Sequence, residues 1–125
     1  ATIRPWVCAL PVTDLSPINV NTLLPAQAPL VAMLIPGKLS VQTAKRMIDE
    51  RPRGGYGSVV NFWSLPAQSG ITPSPEVLEQ TRVKTRWFAL DLSIELAGAE
   101  LRETALVDGL IAPARLVRRA YGDPS

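Results

Sequence analysis

Histidine is absent from the sequence, which removes the commonest general base, proton shuttle and zinc ligand together. A single cysteine, Cys8, is present; it closes no disulfide within the chain and anchors no paired-cysteine metal site. No activating base stands beside it in sequence, so it reads as a small apolar side chain packed near Trp6. No apolar run reaches the ~18 residues of a membrane-spanning helix, and no signal peptide is visible. Charge is sparse: charged residues make up 19% of the chain and the net charge is +2. Lys and Arg are scattered, with small groups only at Arg51/Arg53, Arg82/Lys84/Arg86 and Arg115/Arg118/Arg119, whereas a nucleic-acid reader gathers its cations into a patch. No basic amphipathic helix suggests a membrane surface. The sequences GxSxG, GxxxxGK[ST] and HExxH are missing, and so is the EF-hand loop.

What the chain does have is apolar substance. Hydrophobic residues are 46% of its 125 residues, enough for a packed domain or two small lobes. It begins at Ala1-Thr2-Ile3 without a methionine, as a mature product or excised fragment does. Residues 1–17 form a lead-in in which Pro11 and Pro17 bracket VTDLS, favouring extended or turn geometry. Leu23, Leu30, Val31 and Leu34 share one helical face, predicting a helix near 24–35. Pro25 suits its first turn, and Pro29 is tolerated only if the helix starts late. Pro36-Gly37 ends it. Ser40 is an N-cap for a second helix, 41–50, with Val41, Ala44, Met47 and Ile48 as the apolar stripe. Ser58 caps a third through Leu65, and Ser74-Pro75-Glu76 begins one more turn.

At Arg82 the apolar period falls to two. Phe88, Leu90, Leu92, Ile94 and Leu96 alternate with Ala89, Asp91, Ser93, Glu95 and Ala97, the pattern of a strand with one buried face. Ala97-Gly98-Ala99-Glu100 predicts a hairpin turn; Leu101–Val107 and Ala114–Ala120 predict two further strands. The order is helices first and then an antiparallel meander, an α+β chain. On this reading Phe62 and Phe88 are core, and Leu92→Asp would bury an unpaired charge and unfold the domain. Trp87 lies on the strand face opposite Phe88, covered by the helices or exposed as an anchor for a partner.

The turn Ile35-Pro36-Gly37-Lys38-Leu39-Ser40 has the outline of a hairpin that grips phosphate through backbone amides. Leu39 stands where a second glycine is expected, and a side chain there is expected to obstruct the phosphate. Asn19 and Asn21 read as side chains bonding nearby backbone. The carboxylates Asp14, Asp49, Glu50, Asp91, Glu95, Glu100, Glu103 and Asp108 pair with no nucleophile motif, so catalysis is not expected. A cation site would have to gather distant donors, such as Asp14 near Asn19 and Asn21, or Glu103 with Asp108.

Leu10-Pro11, Ile18-Asn19-Val20-Asn21-Thr22, Pro36-Gly37-x-Leu39-Ser40 with Ala44, Arg51-Pro52 and Gly57-x-Val59-x-x-Phe62 together resemble the type II secretion system protein K family. Val83-Lys84-Thr85-Arg86-Trp87-Phe88 is similar to that family's entry into its last sheet, and Arg118-Arg119 with Gly122 to its closing strand. Leu24 and Thr85 depart mildly from the pattern. The resemblance implies a helix-hairpin-helix-like (SAM-like) helical lobe over 18–80, followed over 81–125 by the antiparallel sheet of a pilin-like domain. It further implies a non-catalytic minor pseudopilin. Such a protein joins other minor pseudopilins at the tip of a periplasmic pseudopilus that helps export folded proteins. On that resemblance the chain is the C-terminal portion, a periplasmic domain of an inner-membrane-anchored protein. The family's N-terminal membrane helix and the first part of the helical insertion are not in it. No cofactor is evident from the residues; calcium enters only through the resemblance, with no ligand assigned. The rival expectation is a helix-hairpin-helix DNA-binding module of the DNA-uptake type.

Overall fold

The computed structural model describes residues 8–122; the readings on Trp6 and on residues 123–125 lie outside them. Three serines start three helices. Ser40 Oγ accepts the amide hydrogen of Thr43 at 3.0 Å, Ser58 Oγ that of Asn61 at 3.2 Å and Ser74 Oγ that of Val77 at 3.4 Å. Each bond satisfies an amide that the first helical turn leaves without a carbonyl. They open α2 (Val41–Asp49), α3 (Val59–Phe62) and α5 (Pro75–Glu79).

The helix expected over 24–35 is shorter and divided. A 3-10 turn, Pro25–Gln27, precedes α1 (Ala28–Ala32), so Pro29 falls in a first turn where its missing N–H does no harm. The helix expected over 58–65 likewise breaks at Trp63 into α3 and α4 (Ser64–Gln68).

These short helices are held by a shared core, since none is long enough to be stable alone. Val20, Leu23, Val31, Leu39, Met47, Ile48, Phe62 and Trp63 are all buried in one cluster. The Phe62 ring meets Tyr56 edge-on at 5.4 Å and Trp63 at 5.3 Å, the geometry that aromatic quadrupoles favour. Trp63 Nε1 donates to Thr81 Oγ1 at 3.2 Å, which donates onward to the Leu78 carbonyl at 3.2 Å. The buried polar residue Thr81 is therefore satisfied. Two short strands, β1 (Ile18–Asn19) and β2 (Thr81–Arg82), pair in parallel and close the helical lobe on itself.

Beyond the lobe lies a separate antiparallel sheet of β3 (Trp87–Leu96), β4 (Ala99–Asp108) and β5 (Arg115–Tyr121), in that spatial order. Ala97 and Gly98 join β3 to β4 with φ of 51° and 81°, a type I′ pair whose twist matches the strands. Alanine is strained there, because its Cβ crowds the following carbonyl. Ala97→Asn is expected to stabilise the hairpin by about 0.5–1 kcal/mol, read as a rise in the urea midpoint. A bulge at Leu106/Val107 shifts the pairing with β5.

The predicted alternation is present, but its burial is not. Phe88, Leu90, Leu92, Ile94 and Leu96 are between 41% and 77% exposed. No residue of β3, β4 or β5 belongs to the lobe's core cluster. Phe88 is thus not core, and the lobe does not lean on the apolar face. The reason is geometric: residues 18–82 are closed by their own parallel bridge, and the lobe buries its apolar surface within itself. Leu92→Asp therefore places a charge on an exposed position, which removes the ground for expecting the chain to unfold.

Candidate functional site

Asn21 organises the lobe from its second loop. Its Oδ1 accepts the Tyr56 amide at 2.7 Å, and its Nδ2 donates to the carbonyls of Tyr56 at 3.0 Å and Val83 at 3.1 Å. Only one of the two asparagines bonds close by, as expected for a turn: Asn19 Oδ1 accepts the Asn21 amide at 3.0 Å. Asn19 also reaches forward, donating from Nδ2 to Thr85 Oγ1 at 2.5 Å. Gly55 leaves room for this clasp. A Cβ there would lie 2.9 Å from Asn21 Cγ, and its φ of +83° belongs to glycine.

Arg51 completes the arrangement. Its Nη1 donates to the carbonyls of Val20, Asn21 and Leu23 at 3.2, 2.8 and 3.0 Å, so one cation satisfies three loop acceptors. Tyr56 donates its hydroxyl to the Met47 carbonyl at 2.6 Å. Burial, with the Glu50 charge adding and Arg51 opposing, pushes the Tyr56 pKa above its ordinary value, keeping the hydroxyl a donor. Local sequence signals miss both Asn21 and Arg51, because their partners are about 30 to 60 residues away.

The hairpin turn is built differently from the expected phosphate grip. Leu39 points inward and is 5% exposed, so it is a core residue and does not stand in a phosphate's path. The amides of Lys38 and Leu39 both donate to the Ile35 carbonyl, at 3.3 and 3.0 Å. The start of α2 is capped by Ser40. The Lys38, Leu39 and Thr43 amides are thus engaged within the hairpin itself.

Five of the eight carboxylates singled out in the sequence are paired with cations. Asp49 pairs with Lys45 at 2.6 Å, Glu50 with Arg46 at 3.2 Å and Glu100 with Arg102 at 2.9 Å. Glu103 takes a two-pronged bond from Arg119, and Asp108 one from Arg86 at 3.0 and 2.9 Å. Among the described residues, no group of three His, Cys, Asp or Glu converges to hold a metal ion; Glu103 and Asp108 each face a guanidinium instead. Cys8 is exposed, not packed. No helix among the described residues is long and apolar enough to cross a membrane.

The Arg86 hydrogen bonds hold the Asp108 carboxyl below its ordinary 3.8, despite some opposing desolvation. A depressed folded-state pKa stabilises above the unfolded value and loses that effect as pH falls through the folded one. Acid titration should therefore loosen the junction at Gly109, whose amide donates to the Arg86 carbonyl at 2.7 Å, only below about pH 3.8. Asp108→Asn should flatten that dependence, monitored by amide resonances around Gly109.

The sheet's open face carries the other notable arrangement. Cross-strand register places Phe88, Leu90, Leu92, Ile94 and Leu96 beside Val107, Ala105, Glu103, Leu101 and Ala99. Apolar side chains therefore surround the Glu103–Arg119 pair, and Arg119 stacks over Tyr121 at 5.1 Å. The opposite face is polar, with Asp91, Glu95, Glu100 and Arg102. An apolar face of this extent on one side of a sheet marks a surface made to be covered. Trp87 belongs to neither extreme: it is half-buried and lines a cleft where lobe and sheet meet.

Comparison with known proteins bears on the whole chain. A family model for type II secretion system protein K matches residues 18–84, the clasp and its lobe. Type II secretion system protein K of Dickeya chrysanthemi is 36% identical over 122 residues, covering 96% of this chain and 33% of that protein. The Pectobacterium carotovorum subsp. carotovorum protein is 31% identical over 123 residues, covering 96% and 36%. The chain thus spans about a third of the length of the curated relatives it matches. Among solved structures, a chain of the GspK-GspI-GspJ complex from enterotoxigenic Escherichia coli shares the fold. That match has a TM-score of 0.71 at 24% identity, over 97% of this chain and 41% of the other.

Proposed function

The chain belongs to the type II secretion system protein K family, and from that premise we propose that it is a non-catalytic assembly module of a minor pseudopilin. The observation that carries this reading is the exposed apolar face of β3–β4–β5. Such a face is stabilised by association with another apolar surface, at roughly 25 cal/mol for each Å² withdrawn from water. In this reading residues 18–80 are a helix-hairpin-helix-like lobe and 81–125 the sheet of a pilin-like domain. The sheet face is covered in the parent protein, and the rigid lobe is presented to other minor pseudopilins at the pseudopilus tip. A preorganised surface loses less entropy on docking than a flexible one. The module works in the periplasm, on a protein anchored in the inner membrane, and serves the export of folded proteins. Calcium has no part in this reading, which assigns it no ligands on the chain.

Co-purification tests it. The parent protein is expected to bring down other minor pseudopilins, and failure with all of them would overturn the assignment. A DNA-binding hairpin predicts salt-dependent gel shifts weakened by Lys38→Glu. The engaged amides of Lys38 and Leu39 favour the assembly reading, which predicts no shift at low salt.

A further inference from the structure

A cleft of about 660 Å³ opens where the lobe meets the sheet, within the ~300–1,000 Å³ typical of small-ligand sites. Its lining is rich in donors that nothing among the described residues uses. Arg82 and Lys84 have side chains with no hydrogen bond or ion pair among the described residues. Arg86 spends Nε and Nη2 on Asp108, leaving Nη1. Thr85 Oγ1 accepts from Asn19, so its own hydroxyl hydrogen is free to donate. The Trp87 ring lines the cleft beside them, and its indole N–H is buried with no acceptor among the described residues. Against these, Glu79 is the one carboxylate among the lining residues.

Cations and a free hydroxyl gathered against a single carboxylate call for an acceptor-rich ligand. We propose that this cleft receives a carboxylate carried on an acidic peptide segment of another polypeptide. Arg82 and Lys84 supply the charge, while the apolar surfaces of Pro17, Trp87 and Leu110 hold the segment's backbone and aliphatic stems. Two unpaired cations against one lining carboxylate suit one or two carboxylates and are too few for a nucleic-acid backbone. Trp87 and Phe88 point to opposite sides of β3, so this site is distinct from the apolar face and stands whether or not the secretion reading does.

The test is calorimetric titration of the intact protein with three N-acetylated tetrapeptides, the first two also amidated at the C-terminus. One carries two glutamates, one two glutamines, and one two glutamines with a free C-terminal carboxylate; inorganic phosphate is the fourth probe. The diglutamate peptide should bind, weaken with added salt and shift the Trp87 indole resonance, identified by its loss in Trp87→Phe. Binding by the free-carboxylate peptide as well would make the chain terminus a second source of the same group. Arg82→Gln with Lys84→Gln should reduce binding at least tenfold and leave the melting curve in place. Equal binding of diglutamine peptide, equal binding of phosphate, no binding, or an unchanged indole resonance would each overturn the proposal.

Discussion

Asn21→Ala is expected to destabilise the chain by about 3–4 kcal/mol, a large part of the ~5–15 kcal/mol that holds a typical domain together. The side chain makes three hydrogen bonds to backbone, to both polar groups of Tyr56 and to the Val83 carbonyl. Truncation removes each bond and leaves partly buried peptide groups unpaired, which costs more than the bonds themselves contribute. Asn21→Asp separates the two halves of the effect. It keeps an acceptor for the Tyr56 amide but sets a carboxylate against two carbonyls. Urea denaturation should rank it at least as damaging as alanine. Gly55→Ala should act on the same clasp, because its Cβ would meet Asn21, so combining it with Asn21→Ala should give less than the sum.

Leu92→Asp should produce the opposite pattern: little loss of stability in the isolated chain and abolished assembly in the parent protein. Leu92 is 41% exposed and lies across from Glu103. The new charge stays hydrated, and the cost is limited to lost strand packing and repulsion between neighbouring carboxylates, up to about 1 kcal/mol. Once the face is covered, the same carboxylate is buried without a partner, a penalty of several kcal/mol (~3–5). The expected readouts are a melting temperature lowered only slightly and loss of co-purifying pseudopilins.

Short-range patterns made much of this fold legible. Serines before apolar runs marked three helix starts, and the alternation from Phe88 to Leu96 marked β3 and its face. Division of the first helix was signalled by Pro29. Burial was not legible, because alternation says that one face is apolar and not what lies against it. Phe88 and Leu92 therefore pointed to a core that this chain does not supply. Leu39 led to the wrong cause for the same reason: its position in the turn was visible, but its direction into the core was not. Asn21, Arg51 and the Arg86–Asp108 pair depend on segments brought together only by folding.

Thiol labelling at the centre of the sheet tests the account most directly. On a Cys8→Ser background, Leu92→Cys introduces the chain's one thiol, and its reaction rate with a maleimide is measured twice. In the isolated chain it should match an exposed cysteine; in the assembled parent protein it should be much slower. Equal, fast rates in both would mean that the apolar face stays open and that its covering is not what this module provides.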